Sequence, residues 1–174
     1  MSIVFVRPTI SDIPGIRELL NITFIDTFKK NNIVDIFEIE DEINGKIEKV
    51  KNDIIEFNDK FYFIIAKDNN LVVGICAFFP VSGIIMDYIQ EIKENDSEIG
   101  CTYVLPNYQN QGIAKKLIEL VIEKLKQKNV QSYYLCSGFK TAQDYWMKKL
   151  GEPIFTIKDI WGQGKHEVIW NHCI

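Results

Sequence analysis

The feature that most constrains the fold is a pair of apolar segments joined by a very short connection. The segments FYFIIAK (61–67) and LVVGICAFF (71–79) have the length and composition of buried strands, and only Asp68-Asn69-Asn70 lies between them. Three polar residues suffice for a hairpin turn but are far too few for a helical crossover. The sequence therefore predicts an antiparallel strand pair near the middle of the chain.

The flanking segments extend this pair into a sheet with helices. Strands are predicted at IVFVRP, EIGCTYV, VQSYYLCS, EPIFTIKDIW and HEVIW, the last two as a hairpin across Gly162-Gln163-Gly164. Helices are predicted after a cap at Ser11 or Asp12, over roughly 33–52, over 113–125 and over 141–150, while 83–96 fits either a strand or a helix. This order predicts a single α/β domain spanning 1–174, a mixed, mostly antiparallel sheet with helices on both faces.

Composition narrows the classes of partner. The formal charge of −4 and the pI near 5.3 provide no basic field for nucleic acid. The longest uncharged stretch, Leu71 to Met86, is short for a membrane span and is interrupted by Pro80 and Gly83. The N-terminus lacks a basic start followed by a long apolar region, so no signal peptide is predicted. The four cysteines are widely spaced, and none forms a CxxC pair. We therefore expect a cytoplasmic protein without metal, disulfide framework, nucleic-acid partner or membrane partner.

One loop stands out against this background. Gln109 to Ala114, the sequence QNQGIA, joins a predicted strand to an amphipathic helix. The first N–H groups of a helix lack internal partners and attract anions, and Gly112 lets a ligand approach the backbone closely. The second glycine and the Lys-Ser/Thr of a P-loop are absent. From spacing alone, an ordinary turn and a phosphate site both remain open.

The residues around this loop resemble a known motif. VLPNYQNQGIA (104–114) is similar to V-x-P-x-x-[QR]-x-x-G-x-[GA], the acetyl-CoA motif of the GCN5-related N-acetyltransferase (GNAT) superfamily, and the predicted order of elements follows that family over nearly the whole chain. The resemblance implies the GNAT fold, acetyl-CoA as cosubstrate, the pyrophosphate on the loop N–H groups and the pantetheine on the preceding strand. The implied cofactor-binding residues are Thr102, Tyr103, Val104, Gln109, Asn110, Gln111, Gly112, Ile113, Ala114 and Lys115.

Acetyl transfer to an amine needs a base, because an amine with a pKa near 10.4 is protonated at neutral pH. Glu98 is the candidate. It lies six residues before Val104, the spacing at which histone-acetylating members of the resembled family place their glutamate. The alternative interpretation is a surface carboxylate at a strand end, beside Asp96.

Tyr145 is the candidate acid. Many family members carry a tyrosine in an A-x-x-[LF]-Y pattern, but in this chain Ala142-Gln143-Asp144 is followed by Tyr145 and then Trp146, so the tyrosine comes one position early. The usual upstream asparagine is also replaced, by Phe139 or Lys140. Tyr145 could instead serve helix packing, and Trp146 is expected in the core or against the pantetheine.

Other reactive residues fit structural roles better. Cys101 and Cys136 have no adjacent histidine to activate a thiolate, so they are interpreted as small buried hydrophobes. His166 and His172 are expected on the surface or in the closing hairpin. Two acidic runs, 35–42 and 87–98, are either solvated faces or attractors of a cationic acceptor.

Together these points predict an acetyl-CoA-dependent N-acetyltransferase. The acetyl group would move to a primary amine by direct attack in a ternary complex, and the acceptor would be a small molecule or a peptide amine, with a cationic one favoured by the acidic runs. The alternative is a non-catalytic CoA-binding or regulatory GNAT-like module that kept the loop and lost the acid and base. A homodimer remains open.

Overall fold

The computed structural model of the chain describes residues 2–33, 39–56 and 60–174. The strands are β1 (Ile3–Val6), β2 (Tyr62–Asp68), β3 (Leu71–Pro80), β4 (Ser97–Val104), β5 (Ser132–Ser137), β6 (Phe155–Ile157) and β7 (Glu167–Cys173). The helices are α1 (Ile13–Lys30), α2 (Ile39–Glu56), α3 (Gly83–Met86), α4 (Ile113–Gln127) and α5 (Lys140–Leu150).

The seven strands form one mixed sheet in the order β1-β2-β3-β4-β5-β7-β6. The predicted hairpin is present, because β2 and β3 pair antiparallel from Tyr62↔Phe78 to Asp68↔Leu71. Among the strands of the described residues, only β4 and β5 pair in parallel, and the helical crossover between them is α4. The α/β fold class and the mostly antiparallel sheet are thus confirmed.

Helices cover both faces of the sheet. On one face, a Cβ at Gly74 would lie 3.2 Å from Ile113 and 3.1 Å from Leu117 of α4, and Trp146 of α5 packs with Leu135 of β5. On the opposite face, Lys49 of α2 lies 4.7 Å from the centre of the Phe79 ring. We call these the α4 face and the α2 face. The core lies on both sides of β2, β3 and β4.

Several local predictions need correction. The helix predicted over 33–52 runs from Ile39 to Glu56, while 34–38 lie outside the described residues. The ambiguous 83–96 segment contains one helical turn, α3, and no strand. In the closing hairpin, β6 is shorter than predicted and ends at Ile157, the connection is longer, and β7 runs from Glu167 beyond the predicted segment to Cys173.

The start of α1 shows why a capping prediction from sequence can miss the actual contact. Asp12 occupies the cap position, but its side chain makes no cap hydrogen bond. Its Oδ2 accepts a hydrogen bond from the Thr9 backbone N–H at 2.9 Å, and its Oδ1 accepts one from Lys67 at 2.7 Å. Asp12 thus ties α1 to β2. None of the helices in the described residues is long and apolar enough to cross a membrane.

Candidate active site

The two parallel strands separate soon after they meet. β4 and β5 pair only at Ser97↔Tyr133 and Glu98↔Tyr134. β4 continues to Val104, and β5 turns to pair with β7 along its whole length. The β5-facing edge of β4 therefore has no strand partner from residue 99 to residue 104. We call the gap between the two strands beyond these pairs the splay.

A bulge marks the middle of the splayed part of β4. Ile75 pairs with Tyr103 and Ala77 with Gly100, so Cys101 and Thr102 lie opposite the single residue Cys76. Cys101 has a φ of +50°, a left-handed conformation that is uncommon for a residue with a side chain. The bulge re-aims the side chains on either side of it. Thr102 points to the α4 face, where its hydroxyl contacts Cys76 at 3.3 Å.

Tyr103 and Val104, the last two residues of β4, are held by contacts with other elements. The Tyr103 ring lies 5.3 Å from the Phe24 ring of α1. Val104 is buried, and its carbonyl accepts a hydrogen bond from Gln109 Nε2 at 3.0 Å. This bond fixes the start of the following loop to the end of β4.

The loop after β4 presents a run of backbone donors. Gly112, with φ of +83°, occupies the cap position of α4, and Asn110 is also left-handed with φ of +60°. The first backbone bond of the helix runs from Lys116 N–H to the Gly112 carbonyl at 3.0 Å. Within the described residues, no hydrogen bond uses the N–H groups of 110–115, and a Cβ at Gly112 would meet nothing within 4 Å. The loop is open to solvent and able to hold an anion.

The end of α1 lies beside this loop. Lys30 Nζ donates to Gln109 Oε1 at 3.3 Å, and the side chain of Asn31 exchanges two hydrogen bonds with Thr141 at the start of α5. The Phe28 and Phe139 rings lie 5.8 Å apart. These contacts join α1, the loop and α5 around the wide end of the splay.

Glu98 lies at the narrow end of the splay and faces α2. Only 5% of the residue is exposed, so the alternative interpretation of Glu98 as a surface carboxylate is wrong. Its Oε2 accepts a hydrogen bond from the Ser82 N–H at 2.8 Å, and the Cys136 thiol lies 3.6 Å from Oε1. The structure does bring this candidate base to the splay.

Tyr145 lies on the opposite, α4 face. Burial, followed by the nearby Cys76 thiol, raises the pKa of the Tyr145 hydroxyl above its ordinary value, so it retains its proton. Trp146 is buried with Leu135 and Trp170, as expected for a core residue, and Tyr145 packs against the same cluster. The one-residue shift therefore places the tryptophan in the core and leaves Tyr145 only partly buried beside it.

One residue of this region was missed in the sequence. Glu167 of β7 is only 5% exposed and faces the α2 side, where its Oε2 accepts a hydrogen bond from Trp161 Nε1 at 2.6 Å. Burial raises the pKa of Glu167, although hydrogen bonds from Trp161 and Cys136 counteract the shift. The available signal was the strand alternation, because Glu167 shares a face with the fully buried Ile169.

The remaining candidates have structural surroundings. Burial raises the pKa of both the Cys101 and the Cys136 thiols, which opposes a thiolate nucleophile. His166 Nδ1 accepts a hydrogen bond from the Asp159 N–H at 3.0 Å, and the His172 ring lies 5.8 Å from Tyr133. No group of three metal-ligating side chains occurs in the described part of the chain.

Of the two acidic runs, the first lies partly outside the described residues, at 35–38. In the second, Glu91 and Glu94 are exposed, as in a solvated face, whereas Glu98 is buried. A small hollow of about 140 Å³ on α2 is lined by Asp41, Glu42, Gly45, Lys46 and Lys49. It lies on the same face as Glu98.

Comparison with known proteins gives a consistent result. The profile of the Acetyltransferase (GNAT) family matches residues 23–151. No curated protein matches the chain in sequence. Among solved structures, the PaiA N-acetyltransferase from Thermoplasma acidophilum, in complex with coenzyme A, superposes with a TM-score of 0.74 at 18% identity over 100% of both chains.

Two further structures share the fold. The ribosomal-protein-alanine N-acetyltransferase from Brucella melitensis has a TM-score of 0.68 at 17% identity, covering 98% of this chain and 99% of its own. YncA from Salmonella typhimurium, with its cofactor acetyl-CoA, has a TM-score of 0.70 at 14% identity, covering 99% of this chain and 94% of its own. At these identities the similarity concerns the fold.

Proposed function

This chain belongs to the GNAT family of acetyltransferases, and on that basis we propose that it transfers an acetyl group from acetyl-CoA to a primary amine. Attack is direct, within a ternary complex of enzyme, acetyl-CoA and amine. The observation that carries the proposal is the splay between β4 and β5, which has a buried carboxylate on one face and a protonated phenol on the other.

The cofactor side fits the chain's own residues. The unpaired N–H groups of 110–115, at the start of α4, are suited to a pyrophosphate, and the two left-handed residues Asn110 and Gly112 shape the loop around them. The unpaired edge of β4 at Thr102, Tyr103 and Val104 is suited to the amide groups of the pantetheine. Acetyl-CoA supplies the reactive thioester.

Glu98 and Tyr145 divide the proton transfers between the two faces. Glu98 takes the proton from the amine nitrogen on the α2 face, directly or through one water, as the N–C bond forms. The Tyr145 hydroxyl donates its proton to the sulfur on the α4 face as the C–S bond breaks. Solvent then removes the proton from Glu98 and restores the one on Tyr145. Backbone N–H groups at the bulge support the acetyl oxygen.

The acceptor approaches from the α2 face in this scheme. The aminoglycoside 6'-acetyltransferase type Ii and the ribosomal-protein-alanine N-acetyltransferase are fold neighbours with different amine acceptors in their names. We therefore propose a small-molecule or peptide amine without choosing between them. The acidic groups on the α2 face favour a cationic acceptor.

The test is release of the CoA thiol from acetyl-CoA across a panel of amines. The panel contains linear diamines, free amino acids, an aminoglycoside and peptides with a free N-terminus, and each product is checked by mass for the added acetyl group. We expect turnover with at least one primary amine and none with its N-acetylated or alcohol analogue.

The competing interpretation is the non-catalytic CoA-binding module. It predicts tight binding of CoA by calorimetry together with no thiol release above the buffer rate for any amine. A protein that neither bound CoA nor released thiol would contradict both interpretations. Calorimetry and turnover therefore have to be measured on the same preparation.

A further inference from the structure

Three adjacent strands bring two buried carboxylates to one thiol. Cys136 of β5 lies near Glu98 of β4 and Glu167 of β7: its sulfur is 3.6 Å from Glu98 Oε1, and the Glu167 carboxylate is near enough to help raise the pKa of the thiol. All three side chains face α2, and both glutamates are 5% exposed. We call these three residues the carboxylate cluster.

The cluster has too few donors for its acceptors. The Oε2 atoms of the glutamates are each satisfied, one by the Ser82 N–H at 2.8 Å and the other by Trp161 Nε1 at 2.6 Å. For the two remaining oxygens, the described part of the chain offers only the single proton of the Cys136 thiol. No ion pair in the described residues includes Glu98 or Glu167. Two buried carboxylates without a cation are costly, so a cationic donor would be stabilised here.

A second observation points to a missing group beside Glu98. The Ser82 Oγ atom is buried and has no hydrogen-bond partner in the described residues, although the backbone N–H of the same residue binds Glu98. Buried polar atoms without partners are rare in native proteins and often mark a ligand or an ordered water. The Ser82 hydroxyl is therefore a further polar group available next to the cluster.

The cluster also has an aromatic neighbour that reaches solvent. The Trp161 ring is hydrogen-bonded to Glu167 at one end, and 55% of the residue is exposed. A Cβ at Gly138 would lie 2.8 Å from Glu167 Oε2 and 2.9 Å from Trp161 Nε1, so this contact requires a glycine there. An indole face beside a carboxylate is suited to an ammonium group.

The cluster lies at the splay. Cys136 is two residues beyond Tyr134, the last residue of β5 that pairs with β4. Two cations on the same face of the sheet, Lys46 and Lys49 of α2, have other contacts: Lys46 pairs with Glu42 at 2.9 Å, and Lys49 lies over the Phe79 ring. They leave the carboxylates unneutralised.

We propose that Glu167 is a second carboxylate of the acceptor site, and that the amine arrives as an ammonium ion held between Glu98 and Glu167 beside Trp161. This inference deepens the proposed function and rests on it. Glu98 first takes one proton from the bound ammonium and passes it to solvent, and it then takes the second proton from the neutral amine as the N–C bond forms. Glu167 does not react; it increases the affinity for cationic acceptors.

The kinetic test is Glu167→Gln, measured against the amine that the wild type acetylates best. Glutamine keeps an oxygen for Trp161 and loses the charge. We expect the KM for the amine to rise at least tenfold, kcat to change less than about threefold, and the KM for acetyl-CoA to stay constant. Glu167→Asp, which restores the charge, should recover part of the affinity. Glu152→Gln, at an exposed glutamate, is the matched control.

A binding experiment tests whether Glu167 helps to bind an ammonium ion, even if no turnover is observed. The fluorescence of Trp161 is titrated with n-butylammonium chloride and with n-butanol, and Trp161→Phe gives the background from the other two tryptophans. We expect a saturable response to butylammonium alone, weakened at least tenfold in Glu167→Gln. An equal response to butanol, or an unchanged KM and titration in a folded Glu167→Gln protein, would overturn the inference. Inactivity of the wild type with intact butylammonium binding would count against the proposed function alone.

Discussion

The loop of residues 109–115 and the carboxylate cluster lie at opposite ends of the same splay, and they are built in opposite ways. The loop consists of consecutive residues, 109–115, and offers backbone N–H groups. The cluster consists of Glu98, Cys136 and Glu167, drawn from three strands, and offers side chains. A site made of backbone is sensitive to backbone conformation, whereas a site made of side chains is sensitive to charge. A substitution in one of the two regions should therefore change the property of that region and leave the other unchanged.

The largest expected effect is on the loop. Gly112→Trp places a large side chain over the exposed N–H groups and strains a residue with φ of +83°. We expect acetyl-CoA affinity to fall at least ~100-fold by calorimetry, since access to the anion site is lost. Gly164→Trp, at a left-handed glycine in the β6–β7 connection with open space around it, is the matched control. Unchanged affinity in a folded Gly112→Trp protein would falsify the assignment of the loop.

Next comes the removal of the proposed base. Glu98→Gln keeps an acceptor for the Ser82 N–H and removes basicity. We expect turnover at neutral pH to fall about 10²-fold, the usual value of a positioned base, while acetyl-CoA affinity is unchanged. The control is Glu94→Gln at an exposed position. A variant that retained the parent's pH–rate profile would exclude Glu98 from the mechanism and would remove the functional contrast between the two sides.

A smaller effect is expected at Tyr145. Tyr145→Phe removes only the hydroxyl, so we expect at least a tenfold loss of turnover with CoA binding intact, and little change in the exposed control Tyr88→Phe. Because burial and Cys76 raise the pKa of Tyr145 above about 10, activity that depends on its proton should be retained to at least that pH. A silent variant of an active enzyme would mean that solvent or another group protonates the thiolate.

The smallest effect concerns stability rather than rate. The pKa of Glu167 is raised in the folded protein, so folding favours its protonated form, and the wild type loses stability as pH rises through that pKa. Glu167→Gln should therefore unfold at a higher temperature than the wild type near pH 8, with the difference shrinking towards pH 4. Each kcal/mol corresponds to about 2–4 °C in Tm for a chain of this size. A Tm difference independent of pH would show that the carboxylate is not strained by burial.

Much of the fold could be predicted because its determinants are local. The Asp68-Asn69-Asn70 turn requires the β2–β3 hairpin, and apolar spacing in α4 defines a helix whose buried residues are Ile113, Leu117, Val121 and Leu125. The segment 83–96 was ambiguous because its polar and apolar residues fit no single period. Its one helical turn is set by packing of Ile85 against Tyr134 and Ile169, from strands far along the chain.

The site was predictable to different degrees for the same reason. The loop could be proposed as an anion site because its residues are adjacent in sequence. Glu98 was selected by a spacing, but neither its burial nor its contact with Cys136, 38 positions away, is visible from that spacing. The one-residue shift at Tyr145-Trp146 left their roles open. Packing with Leu135 and Trp170 places Trp146 in the core and leaves Tyr145 at the edge of the same cluster.

The sequence by itself determined the order of strands and helices outside 83–96, the glycine just before α4 and the residue types available as reactive groups. These depend on neighbours within a few residues, through steric limits and hydrogen bonds that are the same in any fold. Only the tertiary structure decided that β5 leaves β4 after Glu98, that Glu98 and Tyr145 occupy opposite faces, and that Glu167 joins Glu98 through Cys136. Those relations depend on strand order and register, which arise when distant apolar faces are buried together.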